Sequence, residues 1–149
     1  MTLENLVGKG LRKENAHPEE IQRLLGKAQT RLSDAASEEI SRESRFDLAY
    51  EAILQLAICA LRANGYRPDS RGGHHVIALQ SLTKSIGYPK DKIRLLDEFR
   101  RQRAIGLYDG SFDPTETEIK ALLETADDLQ QALQTWLIKN HPQFTSPSP

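Results

Sequence analysis

Two arginines set three positions apart, Arg100 and Arg103, are the residues of this sequence best suited to chemistry. A guanidinium presents paired N–H donors that can hold a phosphate by two parallel bonds and stabilise charge developing on it. The stretch around them has helical spacing, at about 100° per residue. Ile93, Leu96, Phe99, Ala104 and Leu107 define its inward arc; Arg100 and Arg103 project inside that arc, and Arg101 falls nearer its edge. Burying an unpaired guanidinium is expensive. The two arginines must therefore pair with acids, line a solvent-filled cleft or bind an anion. Tyr108 and Asp109 follow at the helix end, within reach of the last turn, and Arg with Tyr and Asp can bind a phosphate. The plainer alternative is that arginines near a helix C-terminus compensate its dipole and bridge to a neighbour's acids. On spacing alone that alternative is the commoner arrangement.

The surrounding segment strengthens the case for an anion. Lys90 to Arg103 holds six basic residues against three acidic ones, Asp91, Asp97 and Glu98, which makes it the most cationic helix of the chain. Other candidates are weaker. His74 and His75 are adjacent, so they point about 100° apart and do not chelate one metal together. Arg71-Gly72-Gly73 lacks the spacing of a phosphate-binding loop and reads as a linker. Cys59 is the single cysteine, sits in an apolar run and reads as a small buried hydrophobe. Trp136 reads as core or a dimer contact and His17 as a helix-start residue, and no serine has a credible His/Asp arrangement. No metal site and no cofactor are expected.

The elements that must position the arginines are all helical. Pro18 starts the first, with Glu19 and Glu20 where the dipole favours negative charge and Ile21, Leu24, Leu25, Ala28 and Leu32 on one face. Ser33 to Glu39 reads as a turn with Ser37 a candidate cap. A second helix, about Glu39 to Ala63, is apolar on most sides from Phe46 to Leu61, which makes it the central element. Asn64-Gly65 stops it, and Tyr66 to Gly73 reads as a loop. A third helix spans about His74 to Ile86 and a fourth about Lys90 to Leu107. A fifth opens at Asp113-Pro114-Thr115-Glu116, with aspartate as the cap, and runs to about Lys139. Strand signals are nearly absent. The expectation is an all-α, antiparallel four- to five-helix bundle over residues 1–140, followed by a disordered Pro/Ser-rich tail over 141–149.

Composition sets the outer bounds. A chain of 149 residues can bury a real core as one domain. Its net charge of −1 gives no global field toward nucleic acid or membrane, so any anion site is a local patch. The longest apolar stretch, Ala52 to Leu61, is too short to span a bilayer, and nothing at the N-terminus reads as a signal peptide. A cytoplasmic location without membrane contact is the expectation.

Four segments in order resemble a HEPN domain, an all-helical nucleotide-binding domain of higher eukaryotes and prokaryotes. They are the helix Ile21 to Leu32; the helix Phe46 to Leu61 closing in Arg62-Ala63-Asn64-Gly65-Tyr66-Arg67-Pro68; the helix opening His74-His75-Val76-Ile77-Ala78-Leu79; and Phe99 to Asp109. The resemblance covers about Pro18 to Leu137. Members that cut RNA carry an arginine, about four to six residues, then a histidine. Arg103 matches the arginine, Ala104 stands where a polar residue is usual, and Tyr108 stands five positions on in place of the histidine. No histidine follows before His141. The chain is closer to a HEPN subfamily with arginine followed by Tyr-Asp.

The resemblance implies a homodimer whose two fourth helices form a cleft across a two-fold axis. It implies Arg100, Arg103 and Asp109 as phosphate- or RNA-binding residues and Arg103 with Tyr108 in the catalytic positions. Any turnover would be that of a metal-independent endoribonuclease. Cleavage is expected to be slow or absent, because proton transfer near neutral pH suits histidine, whereas a phenol ordinarily titrates at a pKa of about 10. A toxin–antitoxin, defence or stress-response module is the implied setting. Two other functions fit the same residues: a non-catalytic helical partner of a small nucleotidyltransferase, and a plain interaction protein with structural arginines.

Overall fold

The architecture is organised around one helix, α2 (Arg42–Ala63), which buries residues on every side, including Phe46, Ile53, Leu56 and Ala57 at 0% exposure. The computed structural model describes residues 2–69 and 74–145, with the side chains of His74 and His75 left aside. Helices α1 (Pro18–Ala35) and α6 (Glu116–Asn140) pack along α2. Helices α3 (His74–Gln80) and α4 (Leu82–Ile86) also contact it, and α3 contacts α5 (Lys90–Asp109). One continuous cluster of buried apolar side chains joins them. The chain is thus mostly helical, with six helices among the described residues, and none of these is long and apolar enough to cross a membrane.

The helix starts follow from local chemistry. Proline opens α1, with Glu19 and Glu20 in its first turn. The Ser41 side chain caps α2 by accepting from the Ser44 N–H at 3.1 Å, so the helix begins later than Ser37 would have placed it. Thr115, not Asp113, caps α6. Its hydroxyl accepts from Glu118 N–H at 3.1 Å, while the Glu118 carboxylate accepts from Thr115 N–H at 3.1 Å, a reciprocal capping box.

Beyond the two caps, the sequence expectation of the fold is corrected in three elements. The segment expected as one third helix is two, α3 and α4, separated at Ser81, whose hydroxyl bonds back to the Ala78 carbonyl at 3.1 Å. The chain is not purely helical: β1 (Leu11–Lys13) pairs antiparallel with β2 (Tyr66–Pro68), in the register Leu11 to Pro68 and Lys13 to Tyr66. Three-residue strands are too short to show alternation, and their pairing is made by tertiary contacts. The expected disordered tail is ordered at its start. Pro142–Phe144 forms a 3-10 turn, Phe144 is buried, its ring stacks on His141 at 5.2 Å, and its carbonyl accepts from the Gln22 side chain. One apolar ring anchors a segment whose composition otherwise reads as unstructured. Residues 146–149 of that expected tail lie outside the described residues.

Candidate phosphate site on α5

Helix α5 is held by few residues: Ile93, Leu96, Phe99 and Gly106 are its buried positions. Phe99 packs edge-on against Phe46 of α2, with ring centroids 5.9 Å apart. Beyond it, Phe112 folds back and meets Phe46 at 4.9 Å, its N–H bonded to the Gly106 carbonyl at 3.1 Å. A Cβ on Gly106 would lie 2.7 Å from the Phe112 Cβ and 2.8 Å from its Cα, so the glycine makes room for this turn. Phe112 thereby covers Phe46 where the inward arc was expected to continue. Ala104 is exposed and Leu107 is 55% exposed, which corrects the place expected for both in the core.

Arg100 and Arg103 do face α2, as their position in the arc predicts. Arg103 Nε donates to Asp47 Oδ1 at 2.5 Å, and its guanidinium lies over the Tyr50 ring at 5.4 Å from the centroid. Arg100 Nε donates to Asp97 Oδ1 at 2.9 Å, and Asp97 Oδ2 takes Arg101 at 3.0 Å. The Arg100 and Arg103 side chains are 28% and 29% exposed. In both, the acid occupies Nε alone. The terminal Nη groups make no hydrogen bond among the described residues. Each carboxylate thus fixes a guanidinium while leaving its outer edge open. Tyr50 lies beneath them, 5% exposed, its pKa raised by desolvation and partly offset by the two arginines, so its hydroxyl stays protonated.

The structure does not bring Tyr108 and Asp109 to this cluster. Five residues on an unbroken helix turn it through about 500°, leaving Tyr108 about 140° around the axis from Arg103. Tyr108 is 96% exposed. Asp109 Oδ1 accepts from Ser111 N–H at 2.9 Å and from its hydroxyl at 2.5 Å. The Ser111 bonds hold the Asp109 carboxyl below its usual range, and it serves the turn after α5. Asp47, Tyr50 and Asp97 are the members that the sequence reading did not assign. Asp47 carried a signal: it is one of two acids between Phe46 and Leu61, and a carboxylate in so apolar a helix needs a partner.

Among the described residues no group of three or more His, Cys, Asp or Glu side chains is placed to hold a metal. No protein-family model, curated protein or solved structure matches the chain.

Proposed function

We propose that this chain is a HEPN-like helical domain that holds a phosphate-bearing ligand, RNA or nucleotide, on Arg100 and Arg103. The observation that carries this reading is the pair of oriented, partly exposed arginines whose Nη groups make no hydrogen bond among the described residues. Preorganised N–H pairs of this kind suit a phosphate, and Asp47 and Asp97 fix them before the ligand arrives. Leu107 continues the same face of α5 and is exposed, which supports self-association through α5 and a ligand cleft shared by two copies. RNA cleavage is weak or absent in this reading, because the residue in the motif histidine's place is Tyr108 and it points away from Arg103. A toxin–antitoxin, defence or stress-response role follows from the resemblance alone, and a cytoplasmic location is the default that the sequence composition suggests.

The structural-arginine reading has one observation of its own: both guanidiniums have an acid partner. Binding separates the two. A labelled oligoribonucleotide should bind the wild type and lose affinity for Arg100→Ala/Arg103→Ala at unchanged helicity, while light scattering gives a dimer that Leu107→Asp weakens. Equal affinity of both proteins would make the arginines structural, and a monomer of 16.8 kDa would remove the shared cleft.

A further inference from the structure

A groove of about 810 Å³ lies not at Arg100 and Arg103 but on the other flank of α5, where it faces α3 and α4. That volume is within the range of ligand sites, about 300–1,000 Å³. Lys84 of α4 and Lys90, Arg94 and Arg101 of α5 line it, together with Asp97 and Glu98. Asp97 is neutralised by Arg100 and Arg101. Lys84, Lys90 and Arg94 are exposed and have no acid partner among the described residues.

Lys90, Arg94 and Arg101 fall within about 40° of one another around the axis and span about 16 Å along it. They form a stripe roughly 160° from Arg103 and roughly 100° from Arg100, so the groove is a neighbouring flank that meets the arginine site at Asp97. Asp97 and Glu98 stand between Arg94 and Arg101, whereas Lys90 and Arg94, one turn apart, repel and cost the helix a little stability. An anion lying along the groove reverses that sign.

The lining says which anion. No aromatic side chain is among these residues, so the groove offers contacts to phosphate and sugar rather than a stacking platform for bases. Glu98 has no partner among the described residues and can only accept. It repels the anions of an acidic peptide and of an RNA strand alike, but only the RNA carries 2′-hydroxyls that supply the donor it lacks. We propose that the α4–α5 groove carries the backbone of single-stranded RNA, with phosphates on Lys84, Lys90 and Arg94 and ribose hydroxyls toward Glu98. The inference rests on RNA being the ligand in the proposed function and adds a second, sequence-independent surface for it.

The test is fluorescence anisotropy of a labelled oligouridylate with the full chain, across roughly 50 to 200 mM salt. Three proteins are compared: wild type, Lys84→Gln/Lys90→Gln/Arg94→Gln, and Arg100→Ala/Arg103→Ala. The groove substitutions are at exposed positions, and circular dichroism checks the fold. Each single-strand phosphate contact contributes about −0.7 to the slope of log affinity against log salt. The groove variant should therefore flatten that slope by about 2 and lose about tenfold or more in affinity at low salt. An oligothymidylate should bind more weakly than the oligouridylate, and polyglutamate should fail to displace the RNA. If the groove variant keeps wild-type affinity and slope while the arginine variant loses binding, the groove inference falls and the proposed function stands. If the wild type shows no salt-dependent RNA binding, both fall. Displacement by polyglutamate at matched charge would make the groove an acidic-peptide site and overturn the proposal, and equal binding of oligothymidylate would overturn the role of Glu98.

Discussion

Arginine has two different fates in this molecule. At the two ends of α2, Arg45 and Arg62 are 6% and 4% exposed. Arg62 spends every donor edge on the fold: Nε and Nη2 on Glu20 at 2.8 and 2.9 Å, Nη1 on the Glu14 carbonyl at 2.8 Å and the Tyr66 carbonyl at 3.3 Å, and Nη2 also on the Asn15 carbonyl at 3.3 Å. It ties β2 and the chain between β1 and α1 to the end of α2. Arg45 joins the last turn of α1 to the first turn of α6, through the Ala35 carbonyl and Glu116, both at 2.8 Å. On α5, Arg100 and Arg103 use one edge each. Near-complete burial with bonds to two other segments marks a residue the fold needs; partial exposure with both Nη groups unbonded among the described residues marks one that a ligand can use.

The contrast breaks most visibly at Arg62. Arg62→Ala removes all the hydrogen bonds of a buried guanidinium, two of them to the Glu20 carboxylate, and should cost about 3 kcal/mol in urea unfolding. A loss under about 1 kcal/mol would mean that the network is no pin. Next in size is Gly106→Ala, which drives a methyl into the Phe112 backbone. It should cost about 1–3 kcal/mol and release the Phe112 ring from Phe46, read as a change in near-ultraviolet dichroism.

The Arg62 pair also predicts an acid limb. The hydrogen bond from Arg62 holds the Glu20 carboxyl below its ordinary value of 4.5. The unfolded chain therefore takes up the Glu20 proton first as pH falls. The stability from this group is complete above the unfolded value and is lost as pH drops through the folded one. Urea midpoints taken downward from pH 4.5 should fall more steeply in the wild type than in Arg62→Met, and parallel curves would contradict the pairing. The smallest effect is expected at Arg103. Asp47 is itself partly exposed, so Arg103→Ala should change stability by no more than about 1 kcal/mol, checked by the same unfolding curves.

What was legible in the sequence was local. The near-complete apolar girth of Phe46 to Leu61 placed α2 at the centre, Pro18 with Glu19 and Glu20 marked the start of α1, and helical phase turned Arg100 and Arg103 toward the bundle. What was not legible depended on distant partners. Arg45 meets Glu116 across 71 positions and Arg62 meets Glu20 across 42, and neither arginine carries a local sign of this. Asp97 was visible only as part of a charge tally. Tyr108 and Asp109 were grouped with Arg103 by nearness in sequence, but the unbroken helix through Asp109 turns them to other sides.

The distinction between used and unused guanidinium edges can be read directly. In a protein with nitrogen-labelled arginine side chains, nuclear magnetic resonance should find the Arg62 Nη groups slow to rotate and slow to exchange with water, and those of Arg100 and Arg103 fast. Titration with a mononucleotide should then move the Arg100 and Arg103 Nη signals and leave Arg62 and Arg45 in place. Arg100 and Arg103 signals that are already slow and do not respond to the nucleotide would contradict the account.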